Sequence, residues 1–276
     1  MGLPKYSVII SIYNKVDVEI LKESIDSIIN QSYKPENIII VKDGALTELQ
    51  ENLIDTYLKD FENLITIIKI PKNMGPGNAY REAIIRCKTE YAAIMDSDDY
   101  AVPTKFEKQM KFLEKHDNID ILGSNAVEFL GSTDNIISTR VMPETHEEIM
   151  KFARKRCPLV QPTAVFKKEA VIQAGNYLGG RIAEDYDLYI RMIQNGCKFY
   201  NLQEVLFYVR TNKDFFKRRG GIKYVPPIMK FKYKHYKNGF FSLKDFVITG
   251  GASMVVSVLP NFLREIIYKK FLREAN

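Results

Sequence analysis

The chain of 276 residues carries 40 Lys and Arg against 34 Asp and Glu, a net charge of +6, with 46% hydrophobic and 27% charged residues. That make-up suits a folded globular protein with room for one sizeable α/β domain and an appendage, and it excludes a disordered, collagen-like or disulfide-stapled chain. The charge is uneven: from Lys213 to Asn276 there are 14 basic and 4 acidic residues, a net of +10, which leaves 26 against 30, a net of −4, for the other 212.

Residues 7–12 (SVIISI) form a β-branched apolar run fit for a buried parallel strand, with Tyr13 and Asn14 at its carboxyl end. Leu21, Ile25, Ile28 and Ile29 then recur at helical spacing, and Pro35 lies in the turn beyond. Residues 37–41 (NIIIV) make a second strand that runs into Lys42, Asp43 and Gly44. Thr47 and Gln50 read as a capping box opening a helix with Leu49, Leu53, Ile54 and Tyr57. A third strand, 65–70, leads through NMGPGNA into a helix that passes Ala83 and Ile84 and ends near Cys87. A fourth strand, 91–95, runs straight into Asp96, Asp98 and Asp99. This alternation predicts a parallel sheet with helices on its faces, in which ligands bind outside the strands' carboxyl ends near a switch in strand order. Four strand ends then bring Tyr13 with Asn14, Asp43, Asn73, and Asp96 with Asp98 to one crevice.

After Pro103 a helix runs to about His116, and residues 119–122 and 126–130 are two short strand candidates. The regular alternation then weakens. Residues 143–156 read as a polar helix and 161–166 (QPTAVF) as a strand. Residues 181–195 contain a helix with Asp185, Leu188, Tyr189 and Met192 on one face, its first turn toward the crevice. Residues 205–209 make a last strand, followed by Arg210 and the cluster Lys217-Arg218-Arg219.

The cysteines, Cys87, Cys157 and Cys197, are odd in number and without a CxxC pair, which indicates a reducing compartment and no zinc site. The histidines His116, His146 and His235 are equally scattered, so no imidazole-held metal is expected. The N-terminus MGLPKYSVII has no basic region followed by a long apolar core, so no signal peptide is expected.

YAAIMDSDDY sets carboxylate oxygens at the end of a rigid strand, where a hard divalent cation can be held, although a lone Asp-Ser-Asp also suits a solvated loop. GPGNAY has Tyr80 at the last glycine position of a GxGxxG pattern and follows the third strand, which argues against a dinucleotide fingerprint. Its glycines either admit a ligand close to the backbone or start a helix. Asp43 either bonds a base or ribose or makes an Asx-turn with Gly44. Glu184 and Asp185 are either ordinary first-turn acids facing the helix dipole or the source of a general base.

Taken together, SVIISIYN, VKDG, NMG, MDSDD and EDYDLYIR, in that order over about residues 5–212, resemble the family 2 glycosyltransferases, inverting enzymes with the nucleotide-diphospho-sugar transferase (GT-A) fold. The resemblance implies an α/β catalytic domain over 1–219, its mostly parallel central sheet flanked by helices, with a nucleotide-binding half in 1–100 and an acceptor-binding half in 101–219. Residues 220–276 are then a basic helical extension. The resemblance implies that Ser11, Tyr13, Asn14 and Asp43 bind the nucleotide, with Asn73 and Gly75 as the adjoining loop. Asp96 becomes a ribose contact that meets the metal through water, Asp98 the direct ligand of Mn²⁺ or Mg²⁺, and Asp185 the base. Gln161 and Glu184 fall on the acceptor side, and Arg210, Arg218 and Arg219 are candidate phosphate contacts. Many relatives have Ala-Arg-Asn where this chain has Ala79-Tyr80-Arg81, so no contact is carried over to Arg81.

The expected reaction moves a sugar from a nucleotide donor, a UDP-sugar, to a saccharide hydroxyl in surface-polysaccharide assembly. Two rivals differ in what they release: a nucleotidyltransferase gives pyrophosphate, and a non-catalytic nucleotide-sugar-binding scaffold releases no diphosphate at all. An aspartyl-phosphate phosphatase would place its Asp-x-Asp after the first strand, not the fourth.

Residues 246–259 (FVITGGASMVVSVL) are apolar but, at 14 residues, short of the ~20 a spanning helix needs. Lys230, Lys232, Lys234 and Lys237 precede them and Arg264, Lys269, Lys270 and Arg273 follow. The segment is either interfacial on an anionic membrane or a helical hairpin packed on the catalytic domain. Tyr233 and Tyr236 interleave with the lysines, but no RNA or DNA motif accompanies them, so nucleic acid is not an expected partner. A membrane surface suits an acceptor carried on a lipid diphosphate, and the expected location is the cytoplasm, peripherally on the membrane.

Overall fold

The computed structural model describes residues 2–211, 221–260, 263, 264 and 267. Its first half alternates as the apolar periodicity requires: β1 (Tyr6–Ile12), α1 (Val18–Ile29), β2 (Asn37–Asp43), α2 (Glu48–Asp60), β3 (Ile65–Ile70), α3 (Pro76–Arg86) and β4 (Tyr91–Asp96). These strands pair in parallel in the order β3-β2-β1-β4, so the chain switches direction across β1 and all four carboxyl ends open on one edge. The capping box at Thr47 and Gln50 is present, and Asp17 caps α1 through the backbone N–H groups of Glu19 and Ile20.

The strands are apolar on both faces because both are covered. Val8, Ile10, Ile38, Ile40 and Met95 pack with Leu21, Ile25 and Ile54 on one side. Ile9, Ile39, Val41 and Ile94 pack with Ala79, Tyr80 and Ile84 on the other. Fully burying such a side chain contributes roughly 1.5–3 kcal/mol relative to leaving it exposed.

The second half comprises β5 (Tyr100–Ala101), α4 (Lys105–Lys115), β6 (Ile121–Leu130), β7 (Ile136–Arg140), α5 (His146–Ala153), β8 (Val165–Lys167), α6 (Lys168–Gln173), α7 (Glu184–Gln194) and β9 (Phe199–Thr211). It continues the sheet as β4-β8-β6-β9-β5, with β7 on β6, and here the pairing is mixed: only β6 with β9 is parallel. The two short strands expected at 119–122 and 126–130 are one strand. Gly123, Ser124 and Asn125 bridge them, with register shifts against β9 on either side of Asn125. Their polar groups are satisfied internally: Ser124 N–H donates to Thr163 and Asn125 accepts from the Met142 N–H at 2.8 Å. The last strand is likewise longer than 205–209. The strand expected at 161–166 begins as a 3-10 turn over Gln161–Thr163, where Pro162 can donate no ladder bond.

Two further helices, α8 (Val225–Lys237) and α9 (Leu243–Val258), form a hairpin. It is not a separate core: Phe231, Phe240 and Phe241 are buried in the same cluster as Tyr186 and Ile190 of α7. Lys234 and His235 both reach Asp187 of α7, at 2.5 and 2.9 Å. Among the described residues no helix is long and apolar enough to cross a membrane.

Candidate active site

At the carboxyl edge, Ser11 of β1 lies in register with Asp96 of β4, with Tyr13 half-buried and Asn14 exposed just beyond. Asp43 ends β2 and is buried, but its oxygens turn to the neighbouring loop rather than to the turn at Gly44. They accept the backbone N–H groups of Met74 and Gly75 at 2.8 Å each. Gly75, at φ +93°, caps α3, and a Cβ on it would stand 2.5 Å from Arg181 Cγ. Arg181 in turn donates to the Asn73 carbonyl at 3.0 Å and to its side-chain oxygen. The loop at 73–77 is therefore clamped between β2 and the segment that leads into α7.

The acids after β4 separate into distinct environments. Asp96 accepts the Tyr80 hydroxyl at 2.8 Å, while its backbone carbonyl accepts from Ser24 at 3.0 Å. Burial raises Asp96 to about 6, the Asp98 charge adds to the rise, the Tyr80 hydrogen bond opposes it, and Asp185 raises it further. Asp99 is buried beneath the loop, accepts the Arg210 N–H at 2.7 Å, and is pushed well up by burial and by Asp98 and Asp96. Asp98 remains half-buried at the crevice.

Facing them, α7 starts from Ala183 in the left-handed region at φ 56°, which turns Glu184 and Asp185 inward. Asp185 accepts its neighbour Tyr186 N–H at 2.7 Å and the Cys157 thiol at 3.6 Å. Glu184 is raised to about 8, by burial first, then by Asp185 and more weakly by Asp96, against a hydrogen bond from its own backbone N–H. Asp96, with Asp98 beside it, thus lies within electrostatic reach of Asp185 and Glu184, although nearly 90 residues separate the two pairs in sequence.

One expected contact is engaged otherwise. The Arg210 guanidinium is taken up by the Asp98 carbonyl at 3.0 Å, the Gly131 carbonyl at 2.9 Å and Glu23, so it buttresses the acidic loop from behind instead of facing a phosphate. Arg218 and Arg219 lie outside the described residues. Gln161 is held at both ends of its amide, donating to Tyr177 at 2.7 Å and accepting from Tyr189, so its orientation is set by the fold before any acceptor arrives. Tyr80, Tyr177, Cys157 and Arg181 had no role in the expectations drawn from sequence.

Among the described residues no three His, Cys, Asp or Glu converge on a metal-holding group. The donor chemistry at β4 nevertheless fits Mg²⁺ or Mn²⁺: such ions accept one or two carboxylates and complete their shell with substrate phosphates and water. A cation there would also relieve the repulsion that raises Asp96.

Over residues 7–174 the chain matches Glycosyl transferase family 2. This chain is a family 2 glycosyltransferase. The glycosyltransferase is 33% identical over 275 residues to the UDP-Gal:alpha-D-GlcNAc-diphosphoundecaprenol beta-1,3-galactosyltransferase of Escherichia coli, covering 98% of this chain and 97% of that relative. It is 33% identical over 224 residues to the amylovoran biosynthesis glycosyltransferase AmsE of Erwinia amylovora, covering 80% of this chain and 81% of the relative. The mannosyltransferase PcManGT of Pyrobaculum calidifontis, solved with GDP-Man and Mn²⁺, superposes with a TM-score of 0.65 at 14% identity. That match covers 98% of this chain and 82% of PcManGT and reflects the shared GT-A fold.

Proposed function

We propose that this glycosyltransferase is an inverting, metal-dependent enzyme that moves a sugar from a UDP-sugar to a hydroxyl of a saccharide carried on a lipid diphosphate. The observation that carries the reading is the electrostatic contact of Asp96, which ends β4 beside Asp98, with Asp185 and Glu184 at the start of α7. The donor and acceptor classes are those named in the E. coli relative, and the metal is the one bound with the sugar nucleotide in PcManGT.

In this reading the nucleotide lies over Ser11, Tyr13, Asn14 and the loop that Asp43 pins, with Asp96 on the ribose side. Asp98, with Asp96 through water, would hold Mn²⁺ or Mg²⁺, which supplies Lewis-acid neutralisation of the departing diphosphate. Asp185 takes the proton of the acceptor hydroxyl as that oxygen bonds the anomeric carbon. The bond from that carbon to the β-phosphate oxygen breaks on the opposite side, and its electron pair leaves with the nucleoside diphosphate. Backside attack inverts the anomeric centre. Glu184, protonated near neutral pH, adds no second charge beside Asp185 and leaves it free to act as the base. An acceptor of this kind puts the enzyme at the cytoplasmic face of the membrane.

The test is nucleoside diphosphate release from a panel of nucleotide-sugars with an acceptor saccharide. Release from a UDP-sugar that stops with chelator and returns with Mn²⁺ or Mg²⁺ is expected. Release that ignores chelator removes the metal from the reading, and pyrophosphate as product would instead make the chain a nucleotidyltransferase.

A further inference from the structure

The hairpin packs inward with aromatic rings and turns two unlike stripes outward. On α9, Leu243, Val247, Ile248, Met254, Val255 and Val258 are 41% to 60% exposed. Their spacing puts them on one side of the helix, with the buried Gly250 and Ser257 at the edge of that side. On α8 the exposed positions include Lys230 and Lys237, with Tyr233 between them and Lys223 just before the helix. Asp245 is the one acid from 221 to 260, and it is engaged in the Ser242 capping box and with Arg154 at 3.5 Å. An apolar stripe beside a basic one, with the one acid of 221–260 held in a cap and an ion pair, is complementary to an anionic lipid surface.

We infer that the outward face of the α8–α9 hairpin docks the enzyme on anionic membrane lipid, with α9 lying in the interface plane. Its 16 residues span about 24 Å, less than the ~30 Å hydrocarbon core, so it lies along the membrane and does not cross it. Lys223, Lys230, Lys237 and Lys244 meet the headgroups. Two lysines that the sequence grouped with them do not take part. Lys232 is buried, donates to Thr249 at 2.8 Å and is pushed down to about 8 by burial, and Lys234 is paired with Asp187. Arg264 is also withdrawn, capping α9 through the carbonyls of Val256, Ser257 and Leu259. Lys269, Lys270 and Arg273 lie outside the described residues.

The hairpin is fixed to α7 by Asp187 and by the Tyr186 and Phe231 rings, 5.0 Å apart, two residues and one residue from Asp185. Docking therefore sets the membrane plane relative to the crevice, which suits the lipid-borne acceptor of the proposed function, although the surface itself stands on the hairpin alone.

The experiment is flotation of the full chain with vesicles of phosphatidylglycerol and phosphatidylcholine, against phosphatidylcholine alone. Binding to the anionic vesicles, weakened by salt, is expected. The double substitution Val247→Asp with Val255→Asp should abolish it, and Lys230→Glu with Lys237→Glu should weaken it by about tenfold or more. Both variants change exposed positions and should keep the wild-type melting curve. Wild-type failure to bind, or binding unchanged in both variants, overturns the inference. A dimer in solution that Val247→Asp dissociates would overturn it too, making the stripe a contact between copies. Vesicle binding is read without turnover, so it stands or falls separately from the sugar-transfer chemistry.

Discussion

Glu184 shows how one side chain records the charge crowding of the crevice. Its carboxyl titrates at about 8 in the fold against 4.5 as the ordinary value. Between those pH values the unfolded chain has lost a proton that the native state still holds, so stability falls as pH rises through that window. Glu184→Gln removes the penalty. Thermal or denaturant unfolding without substrate should show the variant more stable by up to about 4 kcal/mol at pH 8 and equal to the wild type below pH 4.5. Equal stability at every pH would mean that Glu184 is solvated. The addresses of the acids were legible in sequence, because an apolar run ending in Asp96 and Asp98 and a helix opening with Glu184 and Asp185 each mark where an element stops. Their partners were not. Tyr80 reaches Asp96 from another element, Cys157 reaches Asp185 across 28 residues, and Arg210 finds Glu23 across 187. No local pattern encodes such contacts.

Among the elements, the N-terminal half was readable because four strands buried on both faces alternate with amphipathic helices. The C-terminal half was obscured where buried strands carry polar residues, as at Ser124, Asn125 and Asn201, whose hydrogen-bond partners lie on other elements. The first turns of α3 and α7 meet here. A Cβ on Gly77 would come within 2.9 Å of the Gly179 backbone and 3.1 Å of Glu184 Cβ. Because backbone cannot swing aside as a flexible side chain does, Gly77→Ala should push the two turns apart. Transfer is expected to fall about tenfold or more, the effect of misplacing a reacting group by a fraction of an ångström, while the circular dichroism spectrum stays that of the native fold. Unchanged transfer would show that the approach of α3 to α7 does not position the acids.

At the scale of the molecule, one sheet joins two chemistries. Parallel strands β1 to β4 present the groups assigned to the donor, and the mixed second half carries α7 round to face them with the proposed base. The hairpin is bolted to that same helix, so the proposed membrane face and the proposed base are held as one body. The central claim of the proposed function is a division of labour, with Asp98 assigned to the leaving-group half of the reaction and Asp185 to the nucleophile half. It is tested most directly by measuring UDP-sugar binding and nucleoside diphosphate release for Asp98→Ala and Asp185→Asn side by side. Asp185→Asn should bind donor as the wild type does and lose transfer by about a hundredfold or more, whereas Asp98→Ala should lose both metal-supported donor binding and transfer. Wild-type turnover in either variant, or loss of donor binding in Asp185→Asn, would contradict it.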